Sequence, residues 1–376
     1  MTKNVWTVLS PLLIINYVFG LRIIEFPIGY RRLWFSFIYI LSSWSLYCFL
    51  MWYITGSLMT KFSKTNNFLQ YLNCLATLIS IVFGIYYDKK FRDSLKKLAI
   101  VDITLEKLGT TINYQQLHTK TVRLVLGWFA LTILINFMHI VYLEYHFKYN
   151  TATAIYFTFM INHCSHINLI GDLTMTSILG YIGIKFDQVN EHLQEMASNN
   201  NGKIKQENQM LHPYQRKFLK ILNNKWIIWI IIHLHLDLCK ISREIDWIFG
   251  VQMTFKMGCY FSFLATNLSS LFDLIFFQKY IISFDNILFT SICLTWLFHN
   301  ILKLFIINYV CEKVSAKANV TKNFVNKISY STYNVEMCQN ITQLSLQLAQ
   351  SPLRFYGLGL FQFGFKFLQG VCAIII

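Results

Sequence analysis

The sequence predicts an all-α, polytopic membrane protein with seven transmembrane helices, and three observations carry that expectation. Apolar residues make up 55% of the 376 positions while charged residues are held to 14%, against roughly a quarter in ordinary soluble domains. The apolar residues gather in runs of about 20 or more, the length a helix needs to cross some 30 Å of hydrocarbon. Lys and Arg fall between the runs and favour alternate connections.

Six runs precede the last: 33–55, 68–87, 124–143, 154–186, 249–277 and 286–310. The seventh is 355–376. The fourth and fifth are longer than a bilayer requires, so they are expected to tilt or to project beyond it. The stretch 226–235 is apolar but too short to span and reads as a helix packed below the membrane.

Orientation follows from the basic residues. The segment 1–32, the connections 88–123 and 187–248, and the stretch after the sixth span are rich in Lys and Arg. The other three connections hold only Lys61, Lys64, Lys148 and Lys279. The N-terminus is therefore expected in the cytosol and the C-terminus outside the cell. A net charge of +15 raises nucleic acid as a partner, but that needs a basic face on a soluble fold. Here the charge is read as anchoring to anionic membrane lipid.

The same pattern sets aside other classes. A G-protein-coupled receptor has the reverse topology. Pro11, Pro27, Pro213 and Pro352 all lie outside the proposed spans, unlike the broken helices of many transporters. None of the nine cysteines falls in a segment placed outside, so no disulfide framework is expected. No small-residue cleavage site follows the short apolar stretch 8–20, so no cleavable signal peptide is expected. No phosphate loop, nucleophile elbow or zinc-protease helix is present; no enzyme, cofactor or metal is expected.

Along the chain this gives a cytosolic segment at 1–32, spans one to four within 33–186, and a cytosolic linker with anchor helices at 187–248. Spans five and six follow at 249–310, then a cytosolic helical anchor at 311–354 and the seventh span. The polar run 198–205 is the best flexible linker. A broken apolar face in the last cytosolic stretch (Val314, Phe324, Val325, Ile328, Val335, Ile341, Leu344 and Leu348) requires a partner, so the spans are expected to stand on a cytosolic helical layer.

Polar groups inside the spans are the candidate functional residues, because lipid cannot satisfy them. The outer half of the fourth span carries Asn162, His163, His166, Asn168 and Asp172. His139 lies near the outer end of the third span, and the fifth adds Asn267 and Asp273. Together they can supply donors and acceptors for a small polar ligand between aromatic walls. The competing role for each is an interhelical hydrogen bond. His163 and His166, three apart, have the spacing of metal ligands, but no Cys or carboxylate completes a set. In the seventh span Gln362, Lys366 and Gln369 fall at i, i+4 and i+7, on one helix face. That stripe either lines a pore or packs against polar groups of neighbouring spans, and four lysines around a cation path would repel the ion. Arg243, Glu244 and Asp246 are expected to fix the approach to the fifth span through salt bridges.

The stretch 343–376 resembles the C-terminal region of insect gustatory receptors, through Ser345-Leu346-Gln347-Leu348, Arg354-Phe355, Gly359 and Phe361. A second patch, His235-Leu236-Asp237-Leu238-Cys239 through Ile245 to Gly250, is similar to the family's segment before the fifth span. Length and topology agree throughout, and the motifs cover about a fifth of the chain. Two departures stand out. Gly364 occupies a position that is commonly acidic in the family, and the sequence reaches Ile376 before the family's closing Thr-Tyr and Gln-Phe pairs, so a shortened final helix is expected. The resemblance implies a taste receptor acting as a tastant-gated, non-selective cation channel. It further implies a homo- or hetero-tetramer in the plasma membrane, seventh helices around a central pore, and a tastant pocket in the outer half of each bundle. An insect odorant receptor channel shares this architecture and is the alternative reading; a G-protein-coupled receptor comes third.

Overall fold

Helices account for almost all of the regular structure. A computed structural model describes residues 5–25, 32–57, 64–202, 213–276, 284–330, 339, 342–343, 345–346 and 349–375. In order these form α1 (Val5–Val18), α2 (Leu33–Ser57), α3 (Lys64–Tyr86), α4 (Asp88–Lys107), α5 (Tyr114–Phe147), α6 (Thr151–Gly202), α7 (Pro213–Phe276) and α8 (Phe284–Tyr330). A short hairpin of β1 (Tyr356–Gly357) and β2 (Phe361–Gln362) leads into α9 (Phe365–Ile375).

Six helices, α2, α3 and α5–α8, are long and apolar enough to cross a membrane by length and composition. Large apolar side chains cover their outward faces. Trp34 of α2 is 82% exposed and Trp52 is 72% exposed, an arrangement suited to lipid and costly against water. Helices α2 and α3 cover the first two expected runs closely, while α5, 34 residues long, contains the third and begins ten residues before it. The next three do not stop at the membrane-length runs: α6 is 52 residues long, α7 is 64 and α8 is 47. Over the described residues 187–202, 213–248 and 311–330 the expected anchor stretches are therefore parts of these same helices. Residues 226–235 form part of α7 rather than a separate helix. Nothing in 226–248 breaks a helix: there is no Pro or Gly before Gly250, so propagation costs little once α7 has formed. The expected linker 198–205 ends α6 at Gly202, and its remainder lies outside the described residues. On α8 Val314 and Val325 are buried as the apolar face requires, whereas Val335, Ile341, Leu344 and Leu348 lie outside the described residues.

Two short helices complete the packing. In α4, Phe91, Leu95, Leu98, Val101 and Leu105 repeat at helical spacing and are all buried, and α4 packs mainly on α7. Helix α1 packs on α5 and α6 and contains Pro11. Proline cannot donate to the carbonyl four residues back, and the Ser10 hydroxyl donates to that carbonyl, Thr7 O, at 2.9 Å instead. Asn16 donates to Thr174 Oγ1 at 2.7 Å and ties α1 to α6.

The C-terminal segment departs from the expected continuous helix over 355–376. Leu358 and Gly359 both take positive φ, 50° and 73°, as a tight hairpin turn demands, and Leu360 N donates to Gly357 O at 2.9 Å. Tyr356 pairs with Gln362 and Gly357 with Phe361. Asp246 of α7 accepts from Tyr356 N at 3.1 Å, and Asn308 of α8 accepts from Gly364 N at 2.9 Å. The glycines at 357, 359 and 364 make this turn possible where a helix run was expected.

Candidate ligand-binding site

The turn between α5 and α6 is only three residues long, and it closes one end of the bundle. Lys148 ends α5 in the left-handed region, φ 53°, and Asn150 Oδ1 accepts from Thr153 N at 2.8 Å to cap α6. Near this turn α3, α5, α6, α7 and α8 enclose a cavity of about 320 Å³. Its walls are aromatic and aliphatic, including Phe147, Phe157, Phe263, Phe289 and Trp296. Polar groups come from Gln70, His139, Thr158, Asn162, Ser165 and Asn267.

One side of the cavity is a hydrogen-bonded relay. The Trp296 indole N–H donates to His139 Nε2 at 2.9 Å. An indole nitrogen only donates, so Nε2 accepts and the neutral ring carries its proton on Nδ1. His139 Nδ1 lies 3.2 Å from Asn162 Nδ2. Asn162 also meets Asn136 at 2.9 Å, and Asn136 meets His166 Nε2 at 3.3 Å. Among the wall's other polar groups, Thr158 Oγ1, one turn before Asn162 on α6, and Asn267 Nδ2 of α7 are buried and make no hydrogen bond. Unmet buried polar atoms cost about 1–3 kcal/mol each, and here they face a space large enough to hold what would satisfy them.

Of the seven ligand candidates from the sequence, His139, Asn162 and Asn267 line this cavity. The other four are brought elsewhere. His163 turns towards α1 and α2, with its ring 4.9 Å from that of Tyr47 and 6.0 Å from that of Phe19. Residue 163 is one position beyond Asn162, a rotation of about 100° on the helix, so the two cannot share a wall. His166 holds Asn136, with Thr132 3.5 Å from its Nδ1, in the second layer behind Asn162. Asp273 is exposed on the outside of α7.

Asp172 is the fourth, and it is a structural ion. Its Oδ1 pairs with Lys256 Nζ at 3.0 Å and its Oδ2 accepts from Tyr260 at 2.5 Å, all three nearly fully buried. Ten residues below Asn162 on a helix rising 1.5 Å per residue, it lies about 15 Å from the cavity's relay. Lys256 also donates to Asn168 O at 3.0 Å. Lys303 of α8 is equally buried and bonds to Ser165 Oγ at 3.1 Å. Lys256 and Lys303 were legible as lone cations inside apolar spans, the signal that marks a paired or functional group.

At the opposite end, where α4 packs, the charges are paired between elements. Asp102 of α4 meets Lys185 Nζ at 3.0 Å and accepts from Tyr181 at 2.6 Å. Burial pushes its carboxyl above the ordinary range, against the pull of Lys185. Arg22 lies 3.4 Å over the Phe91 ring, and burial lowers its guanidinium to about 10. Arg243, Glu244 and Asp246 lie within α7 ahead of its expected span, and among the described residues Glu244 alone of the three forms a salt bridge, to Lys97 at 2.6 Å. Arg243 donates to Ser351 O and Asp246 accepts from Tyr356 N.

Of the three pore candidates, Gln362 lies on β2 and not on the final helix, so it does not share a helix face with Lys366 and Gln369. The hairpin turn at Leu358-Gly359 is the cause. Lys366 and Gln369 are three apart on α9 and both exposed. A Cβ at Gly364, φ 145°, would collide with the Glu312 carboxylate; Glu312 stands where an acidic side chain from position 364 would have to go.

The profile of the 7tm Chemosensory receptor family matches residues 9–376. Among solved structures, the olfactory receptor OR5 of the insect Machilis hrabei is similar, with a TM-score of 0.63 and 12% identity over 98% of this chain and 95% of that one. The same receptor in complex with eugenol gives a TM-score of 0.60 at 11% identity, with the same coverage. No curated protein sequence matches the chain. With a family profile spanning nearly its whole length, the chain belongs to the 7tm chemosensory receptor family.

Proposed function

We propose that this chain is a taste-receptor subunit, a tastant-gated, non-selective cation channel of the plasma membrane, with the cavity near the α5–α6 turn as its ligand site. The observation that carries the reading is the pair of unpartnered polar atoms, Thr158 Oγ1 and Asn267 Nδ2, facing an aromatic cavity. In the orientation given by the basic connections, the cavity lies in the outer half of the bundle and the N-terminus is cytosolic. The extended ends of α6, α7 and α8 then form the cytosolic layer that holds a homo- or hetero-tetramer. Helix α9 lines the central path, with Lys366 and Gln369 on one face and Gln362 at its entrance on the hairpin.

An odorant-gated channel of the same architecture is the second reading. It is favoured by the likeness in fold to OR5, which is solved with eugenol, a small aromatic ligand. Currents in excised patches without nucleotide test the channel itself; their absence, with a response that requires nucleotide, rejects it. Matched panels of non-volatile tastants and volatile odorants then separate the two readings. Epitope tags at both termini on unpermeabilised cells test the orientation, and a surface-exposed N-terminus rejects it.

A further inference from the structure

Lys303 sits directly behind the cavity wall, and its surroundings select a ligand chemistry. One carboxylate serves this part of the bundle. Both oxygens of Asp172 are taken, Oδ1 by Lys256 and Oδ2 by the Tyr260 hydroxyl. The Lys303 ammonium, 2% exposed, is left with neutral acceptors: Ser165 Oγ at 3.1 Å and Ser165 O at 3.4 Å, beside the Tyr260 ring. Among the described residues, two lysines against one carboxylate leave Lys303 without an ion-pair partner, where solvent cannot screen a charge.

Ser165 carries the influence of that charge to the cavity, which it lines. A hydroxyl has one proton. Its oxygen accepts from Lys303, so its O–H is left to donate, and among the described residues none accepts it. The ammonium behind it polarises that O–H and makes it a stronger donor. The rest of the wall agrees: among the described residues no Asp or Glu lines the cavity, while Gln70, Thr158 and Asn267 add neutral polar groups. We propose that the cavity prefers ligands bearing a carboxylate, received by the Ser165 O–H with Lys303 neutralising the charge from behind. The apolar part of such an acid packs between Phe157, Phe263 and Trp296. This rests on the cavity being the ligand site.

The test uses the full-length receptor purified in detergent at neutral pH, with benzoate, cinnamate and hexanoate each compared with its own amide by direct binding. The expected result is tighter binding of the acids by tenfold or more, and in Ser165→Ala acid and amide affinities that fall within threefold of each other. Lys303→Met is expected to behave alike, but removing a buried cation can unfold a chain, so Ser165→Ala decides. Amides that bind as tightly as their acids, or acid binding unaffected by Ser165→Ala, overturn the acid preference and leave the cavity as the site. Binding of neither class, or binding of both that Asn267→Ala and Thr158→Val leave unchanged, overturns the cavity itself and this proposal with it.

Discussion

The two ends of the bundle put their buried polar groups to different uses. At the α4 end several are matched across elements, Asp102 with Lys185 and Tyr181, Glu244 with Lys97 and Ser94, Asn190 with Lys317 O and Thr321, while among the described residues Arg22 Nη1, Gln188 Oε1 and His235 Nδ1 have no hydrogen-bond partner. At the α5–α6 end Thr158 Oγ1 and Asn267 Nδ2 are buried without a partner around a cavity. Matched groups fix one arrangement of helices, because a displaced helix strands its partner's charge. Unmatched groups cost stability and hold binding capacity in reserve. The difference divides the chain into a part that holds its shape and a part that receives something.

The comparison breaks most visibly at the boundary between the two ends. Asp172→Ala strands Lys256 and opens the Tyr260 bond; removing one partner of a buried pair costs about 3–5 kcal/mol, and a collapse in yield and thermal midpoint in detergent is expected. A midpoint unchanged by this substitution would mean that Asp172 is not structural. Gly364→Val comes next. It forces a β-branched residue to φ 145° against the Glu312 carboxylate, a strain of roughly 1–3 kcal/mol, and is expected to release α9 as faster proteolysis near residue 364. Asn267→Ala sharpens the contrast from the other side. It removes a group with no partner in the folded chain, so stability is expected to hold or rise. Ligand potency, in contrast, falls roughly tenfold, the worth of about 1.4 kcal/mol. The smallest effect belongs to Lys97→Ala. That half-exposed pair with Glu244 is worth about 0.2–1 kcal/mol, so a small drop in midpoint with unchanged potency is expected from melting and dose–response curves.

Much of this was legible in the sequence, unevenly so. Spans are written in composition, and lengths of apolar residues located α2, α3 and α5–α8. Continuation of α6, α7 and α8 past the bilayer was not, because hydropathy falls at the membrane surface while helical propensity does not. The final segment misled for a related reason: its apolar residues fit a span, but Gly357, Gly359 and Gly364 permit a hairpin that periodicity alone passes over. At the cavity, polar residues inside spans pointed to His139, Asn162 and Asn267, which line it. They did not reveal which face each occupied, so His163, one residue from Asn162, was grouped with it although it packs on Tyr47. Asp172 read as a ligand group because its partner Lys256 is 84 positions away. Thr158, Ser165 and Gln70 carry no charge and no motif, and only the fold brings them to the cavity.

The most direct measurement of the account is a pair of ligand dose–response curves, for Asn267→Ala with Thr158→Val and for Lys97→Ala, at matched surface expression. The cavity variant is expected to need roughly tenfold or more ligand for half-maximal response, while the α4-end variant responds at wild-type potency. Wild-type potency in the cavity variant, or an equal shift in both, contradicts the division of the molecule into a holding end and a receiving end.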